Sequence, residues 1–309
     1  MTSEKRGAQN PYGALVAAMP VREGRVSLLG SDTRYWDYGP ADAPVTVVAV
    51  HGFRGEHHGL EPVVVQLEGL RIISPDLPGF GDSTPMTEAH HDIEGYGSWL
   101  HAFVDSLGLA TPPVILGHSF GSIVTAAAVA GGLEAPSLIL INPIAAPALK
   151  GPKAFVTGLA VFYYQAGAWL PNRAGYALLG NRLITRAISA GMAKTNDPTL
   201  RRWIHSQHDT YFSRFSDRDT VLEAFRASTS NNVIQFADRI TVPTLLIAAA
   251  NDPITTVADE EKLRDLLPDA RLHVLKDVGH LIHYERPREA AELIIDFVGA
   301  GRLAELPAQ

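Results

Sequence analysis

Short apolar runs rich in valine, isoleucine and leucine alternate along this chain with stretches of helical spacing. Such runs have the composition of strands that are covered on both faces, as in a parallel sheet. They lie at residues 45–50, 70–74, 113–116, 136–141, 242–249 and 271–275. Strands that alternate with helices predict an α/β fold, a mostly parallel sheet with helices on both faces and right-handed crossovers.

Further elements complete the predicted core. Residues 25–29 and 33–38 have strand composition, and Gly30, Ser31 and Asp32 between them favour a turn, so an antiparallel hairpin is predicted. Helices are predicted near residues 58–68, 93–107, 256–267 and 287–298.

The alternation stops between Pro143 and Asn232, where aromatic and alanine-rich helical stretches are separated by glycine and proline. We therefore divide the chain into a core of residues 1–142 and 232–309 and an inserted helical cap, or lid, of residues 143–231. Residues 154–172 form an uncharged run of 19 residues, which reaches the length range of a membrane span. Its glycines and glutamine favour a buried or pocket-lining cap, with contact to a membrane surface as the alternative.

The composition excludes several classes of function. None of the 309 residues is a cysteine, so disulfides, thiolate nucleophiles and Cys-ligated zinc are excluded, and a cytoplasmic location is favoured. The net charge of −7 gives no electrostatic reason to expect nucleic acid or an anionic membrane as a partner. The apolar stretch at residues 14–18 is too short to predict a secretory signal.

A serine between two glycines stands where a strand should pass into a helix. Gly117-His118-Ser119-Phe120-Gly121 follows the apolar run at 113–116 and precedes a small-residue run at 123–130. In this context the pattern G-x-S-x-G forms a sharp turn that lifts the serine oxygen out of the backbone. We therefore predict that Ser119 is a nucleophile.

Other polar residues also follow predicted strands directly. His51, Asp76, Asn142 and Asp252 occupy the same kind of position as Ser119. Because the carboxyl ends of parallel strands meet at one edge of the sheet, we expect these residues to gather there.

A serine hydroxyl needs a base that takes its proton. His280 follows the last predicted strand and is predicted as that base, with His283 in the same loop as the second choice. His118 adjoins Ser119 but should point away from it across the turn.

The base in turn needs a buried carboxylate. Asp252 follows the penultimate strand and is predicted to fill this role, with N-capping of the next helix as the alternative interpretation. Asn142 stands at the other suitable strand end but cannot carry the charge, and Asp277 more plausibly shapes the loop of His280.

Two backbone N–H groups must stabilise the oxyanion that develops on the substrate. The residue after the nucleophile, Phe120, should supply one, and Phe53 in the loop after residues 45–50 should supply the other. Their side chains are then free to line an acyl pocket.

Taken in order, these motifs resemble those of α/β-hydrolases that act as serine esterases or lipases. The motifs are His51-Gly52-Phe53, the loop from Asp76 to Ser83, Gly117-His118-Ser119-Phe120-Gly121, Asn251-Asp252-Pro253 and Gly279-His280. The resemblance implies an eight-stranded sheet with an inserted lid, a Ser119–His280–Asp252 triad and no cofactor or metal. Ser122 departs from the pattern, because many members carry a second glycine there.

These features predict a serine hydrolase that cleaves a small or medium apolar ester. Related chemistry on the same triad, namely C–C bond hydrolysis, perhydrolysis or acyl transfer, stays open, although Phe53-Arg54 disfavours C–C hydrolysis. A carboxylate nucleophile, as in epoxide hydrolases and dehalogenases, is disfavoured by Ser119. A ligand-binding receptor with a vestigial triad is the alternative of another class.

The cap carries no readable motif, so the acyl preference and the oligomeric state stay open. Tyr163, Tyr164 and Trp169 are predicted substrate walls, together with Phe53 and Phe120, and ordinary packing within the cap is the alternative for the three cap residues. His205 and His208 have the spacing of a metal-binding pair, but no third ligand completes a site, and no metal is predicted.

Overall fold

A computed structural model describes residues 8–146 and 154–305 of the chain. Eight strands form one sheet in the order β1-β2-β4-β3-β5-β6-β7-β8. They are β1 (Val21–Leu28), β2 (Ser31–Tyr38), β3 (Thr46–Val50), β4 (Arg71–Pro75), β5 (Val114–His118), β6 (Leu138–Ile141), β7 (Thr244–Ala249) and β8 (Ala270–Leu275). The β1–β2 and β2–β4 pairs are antiparallel and the other pairs are parallel. The predicted mostly parallel sheet is therefore confirmed.

Helices cover both faces of this sheet. The helices before β6 are α1 (Gly13–Ala18), α2 (Glu61–Val64), α3 (Ile93–Ser106) and α4 (Phe120–Ala130). Those after β7 are α10 (Val257–Leu266), α11 (Ile282–Glu285) and α12 (Pro287–Glu305). Neighbouring residues of β5 point to opposite faces, as the pleat requires. Ile115 packs in a core with Ile123 of α4, whereas Leu116 packs in a second core with Ile294 of α12.

Three elements differ from the sequence expectation. The hairpin turns at Leu29 and Gly30, whose φ angles of 48° and 75° suit a two-residue turn, so Ser31 and Asp32 belong to β2. The helix predicted at 58–68 is a 3-10 turn at His57–Gly59 followed by the single turn of α2, which ends within a run of β-branched valines. The last helix continues to Glu305.

Among the described residues, five α-helices lie between β6 and β7 and form what we call the helical insertion, residues 154–230; a 3-10 helix at Val233–Arg239 follows them. They are α5 (Ala154–Trp169), α6 (Asn172–Leu179), α7 (Arg182–Met192), α8 (Pro198–Tyr211) and α9 (Arg218–Ser230). Helices α5 and α6 approach closely, since a Cβ on Gly175 would lie 2.2 Å from the carbonyl oxygen of Gly167. Among the described residues no helix has both the length and the apolar character needed to cross a membrane.

The segment between α8 and α9 attaches the helical insertion to the core. Phe215 forms an antiparallel bridge with Phe80, in the loop that follows β4. The Gly81 N–H donates to the Arg214 carbonyl at 2.9 Å, and the Ser216 N–H donates to the Gly79 carbonyl at 2.9 Å. The insertion is thus hydrogen-bonded to a loop at the carboxyl edge of the sheet.

Candidate active site

Ser119 occupies a strained turn between β5 and α4. Its φ and ψ are 53° and −119°, a conformation that non-glycine residues rarely adopt. The flanking glycines make the turn possible, because a Cβ on Gly121 would lie 2.3 Å from the Val50 carbonyl oxygen and one on Gly117 would lie 2.4 Å from that of Gly121. Strand, serine and helix are therefore packed as the G-x-S-x-G pattern predicts.

A chain of hydrogen bonds joins the three residues predicted as the triad. Ser119 Oγ lies 2.7 Å from His280 Nε2, and His280 Nδ1 lies 2.8 Å from Asp252 Oδ2. An ionised carboxylate only accepts hydrogen bonds, so Nδ1 carries the proton and Nε2 is left to accept from the serine hydroxyl. His280 is thus oriented as a base toward Ser119.

Asp252 also accepts hydrogen bonds from groups other than His280. Its Oδ1 accepts the Ile254 N–H at 2.7 Å, and its Oδ2 accepts the Asn142 side-chain amide at 2.9 Å. Burial alone would raise the pKa of Asp252, but His280 and these donors outweigh burial and lower that pKa. The N-cap of α10 is Thr256, so the alternative interpretation of Asp252 as that cap is wrong.

Asn142 has a role that sequence reasoning missed. It follows β6 directly, with φ of 46°, and its side-chain amide approaches both Asp252 and the Gly279 carbonyl, which is 3.4 Å away. Its position after a strand is visible in the sequence, but the sequence gives no sign that an amide at this point supports the acid of a neighbouring strand.

The two competing histidines lie beside His280 without contacting the serine oxygen. The rings of His118 and His283 are 4.0 Å apart, and both residues are buried. Burial lowers the pKa of His118 to about 3, with repulsion from His280 adding to the effect, and burial also lowers the pKa of His283 well below its usual range. Both rings are therefore neutral packing partners of the site.

Phe53 and Phe120 both present backbone N–H groups near the turn. Phe120 opens α4, where an N–H has no partner within the helix, and Phe53 lies in a turn closed by a 3.0 Å bond from Gly55 N–H to the Gly52 carbonyl. Within the described part of the chain neither N–H donates a hydrogen bond. His51 braces the turn, with Nδ1 2.8 Å from the Gly52 carbonyl and Nε2 accepting the Leu77 N–H at 2.8 Å.

The side chains around Phe53 form an aromatic cluster. Its ring lies 5.9 Å from Phe80, 6.3 Å from Phe120, 5.8 Å from Tyr164 and 6.0 Å from Phe225. Tyr164 of α5 and Phe225 of α9 stack at 3.7 Å, so the helical insertion supplies two of the five rings. Phe225 carries no functional motif in the sequence and was missed, whereas Phe80 lies in the loop from Asp76 to Ser83 but was not predicted as a substrate wall.

Among the described residues, the other two predicted substrate walls, Tyr163 and Trp169, make no ring contact with Phe53, although Tyr163 packs edge-on against Tyr164 at 5.0 Å. The Tyr163 hydroxyl donates a hydrogen bond to the carbonyl of Leu179, the last residue of α6, at 2.8 Å. Trp169 is 73% exposed and contacts Phe162, which is also exposed. Trp169 lies five positions after Tyr164 in the same helix, a rotation of about 140° around the helix axis. The two rings therefore face different directions.

The side chains that could bind a metal ion form hydrogen bonds with other side chains of the protein. Glu56, His57 and His58 place three such atoms within 4.8 Å of one another. His57 Nδ1 is 2.9 Å from Asp76 Oδ1, and His58 Nδ1 is 2.5 Å from Glu56 Oε1. In the helical insertion, Nδ1 of His205 and Nδ1 of His208 both bond to Ser189 Oγ, at 2.6 and 2.7 Å.

Comparisons with known proteins identify the family of the chain. A model of the alpha/beta hydrolase family matches residues 47–293. Lipase 3 of Moraxella sp. is 22% identical over 270 residues, which cover 79% of this chain and 74% of that protein. The 2-hydroxy-6-oxononadienedioate/2-hydroxy-6-oxononatrienedioate hydrolase of Cupriavidus pinatubonensis is 27% identical over 270 residues, covering 82% of this chain and 86% of that protein.

A solved structure with the same fold is the esterase from Exiguobacterium antarcticum. It superposes with a TM-score of 0.72 over 89% of this chain and 98% of that chain, at 18% sequence identity. At this identity the likeness concerns the fold.

Proposed function

Because the chain belongs to the alpha/beta hydrolase family, we propose that it is a serine hydrolase that cleaves carboxylic esters with a small or medium apolar acyl group. The observation that carries this proposal is the unbroken hydrogen-bonded chain from Ser119 through His280 to Asp252. The similarity to a lipase from Moraxella sp. supports ester cleavage.

In the first half of the reaction, Ser119 Oγ attacks the ester carbonyl carbon while His280 Nε2 takes the hydroxyl proton. Asp252 stabilises the resulting imidazolium. The carbonyl oxygen becomes an oxyanion and accepts hydrogen bonds from the Phe53 and Phe120 N–H groups. When the tetrahedral intermediate collapses, the C–O bond to the alcohol breaks, and His280 returns the proton to the departing oxygen.

In the second half, water replaces the alcohol beside His280. Nε2 takes a proton from this water as it attacks the acyl carbon, and the same two N–H groups stabilise the second oxyanion. Collapse breaks the bond to Ser119 Oγ, which recovers its proton from His280, and the free acid leaves.

The aromatic cluster supports an apolar acyl group, because its rings adjoin Phe53 and Phe120, whose amides would hold the carbonyl oxygen. Two of those rings come from the helical insertion, so we also propose that the insertion is the lid over the site. Its helices lie within residues 143–231, the range assigned to the lid from the sequence.

A series of p-nitrophenyl esters from acetate to laurate tests the proposal. We expect turnover that peaks at short or medium chains and falls by about 10³-fold or more in Ser119→Ala. Ser122→Ala is the matched control, because within the described part of the chain the Ser122 hydroxyl bonds only to the backbone of Ser119 and Ile144. This variant should retain at least about a tenth of the wild-type activity. Equal inactivity of wild type and Ser119→Ala on every chain length, with an ester analogue still bound, would instead indicate a receptor.

A further inference from the structure

Arg54 is the residue after Phe53, and it is the only arginine among the described residues with a fully buried side chain. Its backbone φ is 59°, at the third position of the turn that carries the Phe53 N–H. That conformation normally favours glycine. An arginine held in a strained turn beside a candidate oxyanion donor therefore needs an explanation from its side chain.

Among the described residues, every hydrogen-bond partner of the Arg54 guanidinium lies in the helical insertion. Nε donates to the Phe212 carbonyl at 2.9 Å and one terminal nitrogen donates to the Leu179 carbonyl at 2.9 Å. The Tyr164 and Ser213 hydroxyls each lie 3.2 Å away. The group also lies over the Phe212 ring, 4.6 Å from its centre.

These partners are all neutral. Among the described residues no carboxylate oxygen lies within 4.0 Å of the Arg54 side-chain nitrogens. Arg214 differs: it is partly exposed and pairs with the carboxylates of Glu56 and Asp82. A buried cation without a counter-ion is stabilised only while its carbonyls and hydroxyls stay in place, so Arg54 depends on the insertion remaining docked.

We propose that Arg54 is a positioning residue for the reaction: its guanidinium fastens the turn that carries the Phe53 N–H to the helical insertion. The oxyanion hole therefore reaches its working geometry only when the insertion is docked. The dependence is mutual, because undocking removes the groups that solvate the guanidinium and thereby releases the turn. This inference rests on the proposed function, in which the Phe53 N–H stabilises the oxyanion.

Three variants test the proposal through kcat and KM on a p-nitrophenyl ester. Arg54→Met removes the charge, Arg54→Lys keeps the charge without the planar fork, and Arg214→Met removes the other arginine that links the insertion to the core. We expect kcat per active site to fall by about 10- to 100-fold in Arg54→Met, with KM within about threefold, because a displaced donor acts on the transition state. Arg54→Lys should be intermediate, and Arg214→Met should stay within about threefold of wild type.

Hydrogen–deuterium exchange provides a readout that does not depend on turnover. We expect residues 52–58 and 212–216 to exchange faster in Arg54→Met than in Arg214→Met. Unchanged kcat and unchanged exchange in folded Arg54→Met would overturn the inference while leaving the proposed function intact. Faster exchange in a protein whose wild type cleaves no ester would overturn the proposed function, and with it the positioning role of Arg54 in ester cleavage.

Discussion

The carboxyl edge of the sheet and the helical insertion are built in different ways. At the edge, strands buried on both faces place Ser119, Asn142 and Asp252 at neighbouring positions, and hydrogen bonds link them through His280. In the insertion, large apolar side chains remain in solvent, with Trp169 73% and Leu183 81% exposed.

This difference separates two tasks. The sheet edge is over-determined, since each reacting group has several packing or hydrogen-bonding partners, so it can hold a strained serine in one geometry. The insertion adds Tyr164 and Phe225 to the aromatic cluster and binds Arg54, but its outer face is apolar and exposed. Proton transfer should therefore depend on the edge, whereas substrate choice and, through Arg54, the position of the Phe53 N–H should depend on the insertion.

The sharpest test of the edge uses two histidines from the segment after β8, His280 in the loop and His283 in α11. His280→Asn removes the proposed base, and we expect kcat to fall by about 10⁴-fold. His283→Asn replaces a buried neutral ring that does not contact Ser119 Oγ and should lower kcat by less than about tenfold. A similar loss in both variants would mean that packing of the loop, and not proton transfer by His280, limits the rate.

Paired glycine substitutions compare the packing of the two regions. Gly121→Ala forces a methyl group to within 2.3 Å of the Val50 carbonyl oxygen, and we expect it to lower the free energy of unfolding by about 3 kcal/mol or more. Gly158 lies in α5, and a methyl group added there has nothing within 4 Å. Gly158→Ala should therefore raise the free energy of unfolding by about 0.5–1 kcal/mol. Urea unfolding measures the free energy of unfolding of both variants. A lower value for Gly158→Ala than for wild type would mean that this face of α5 is packed and not open.

Asn142 tests whether the residue that sequence reasoning missed contributes to catalysis. Asn142→Gly removes the amide that donates to Asp252 while tolerating the φ of 46°, and we expect kcat to fall about tenfold. Asn142→Ala should lose the same activity and additional stability, because alanine is strained at this φ. Wild-type kcat in the folded glycine variant would show that Asp252 needs no support from Asn142.

The smallest effect is expected for chain-length preference. Tyr164→Leu removes a ring of the aromatic cluster, whereas Trp169→Leu changes an exposed ring on another face of the same helix. We expect Tyr164→Leu to move the preferred acyl chain, with kcat/KM changes of about three- to tenfold, and Trp169→Leu to leave the profile unchanged. A profile that responds to Trp169 alone would place the acyl group outside the cluster.

The strands and the residues that follow them at the sheet edge could be predicted because local sequence determines them. A buried parallel strand needs a continuous apolar run, and the residue after it must lie at the edge, so Ser119, Asp252 and His280 were placed without tertiary information. Asn142 was placed in the same way, but its role depends on a hydrogen bond across two strands, which spacing along one strand does not reveal.

The insertion could be predicted only as helical. Which face of α5 is buried depends on α6 and α9, and the uncharged sequence of α5 gives no amphipathic pattern to indicate it. Tyr164 and Trp169 therefore looked equivalent, although one is buried and the other exposed. Arg54 was equally hidden, because all its partners lie more than a hundred residues further along the chain.

Labelling by a fluorophosphonate measures whether the edge of the sheet activates Ser119. Intact-mass analysis followed by peptide mapping should find one label per chain, on the peptide that contains Ser119, and labelling should be slowed by about 10³-fold or more in folded His280→Asn. Labelling at another serine, or none in folded wild-type protein, would mean that the sheet edge does not activate Ser119.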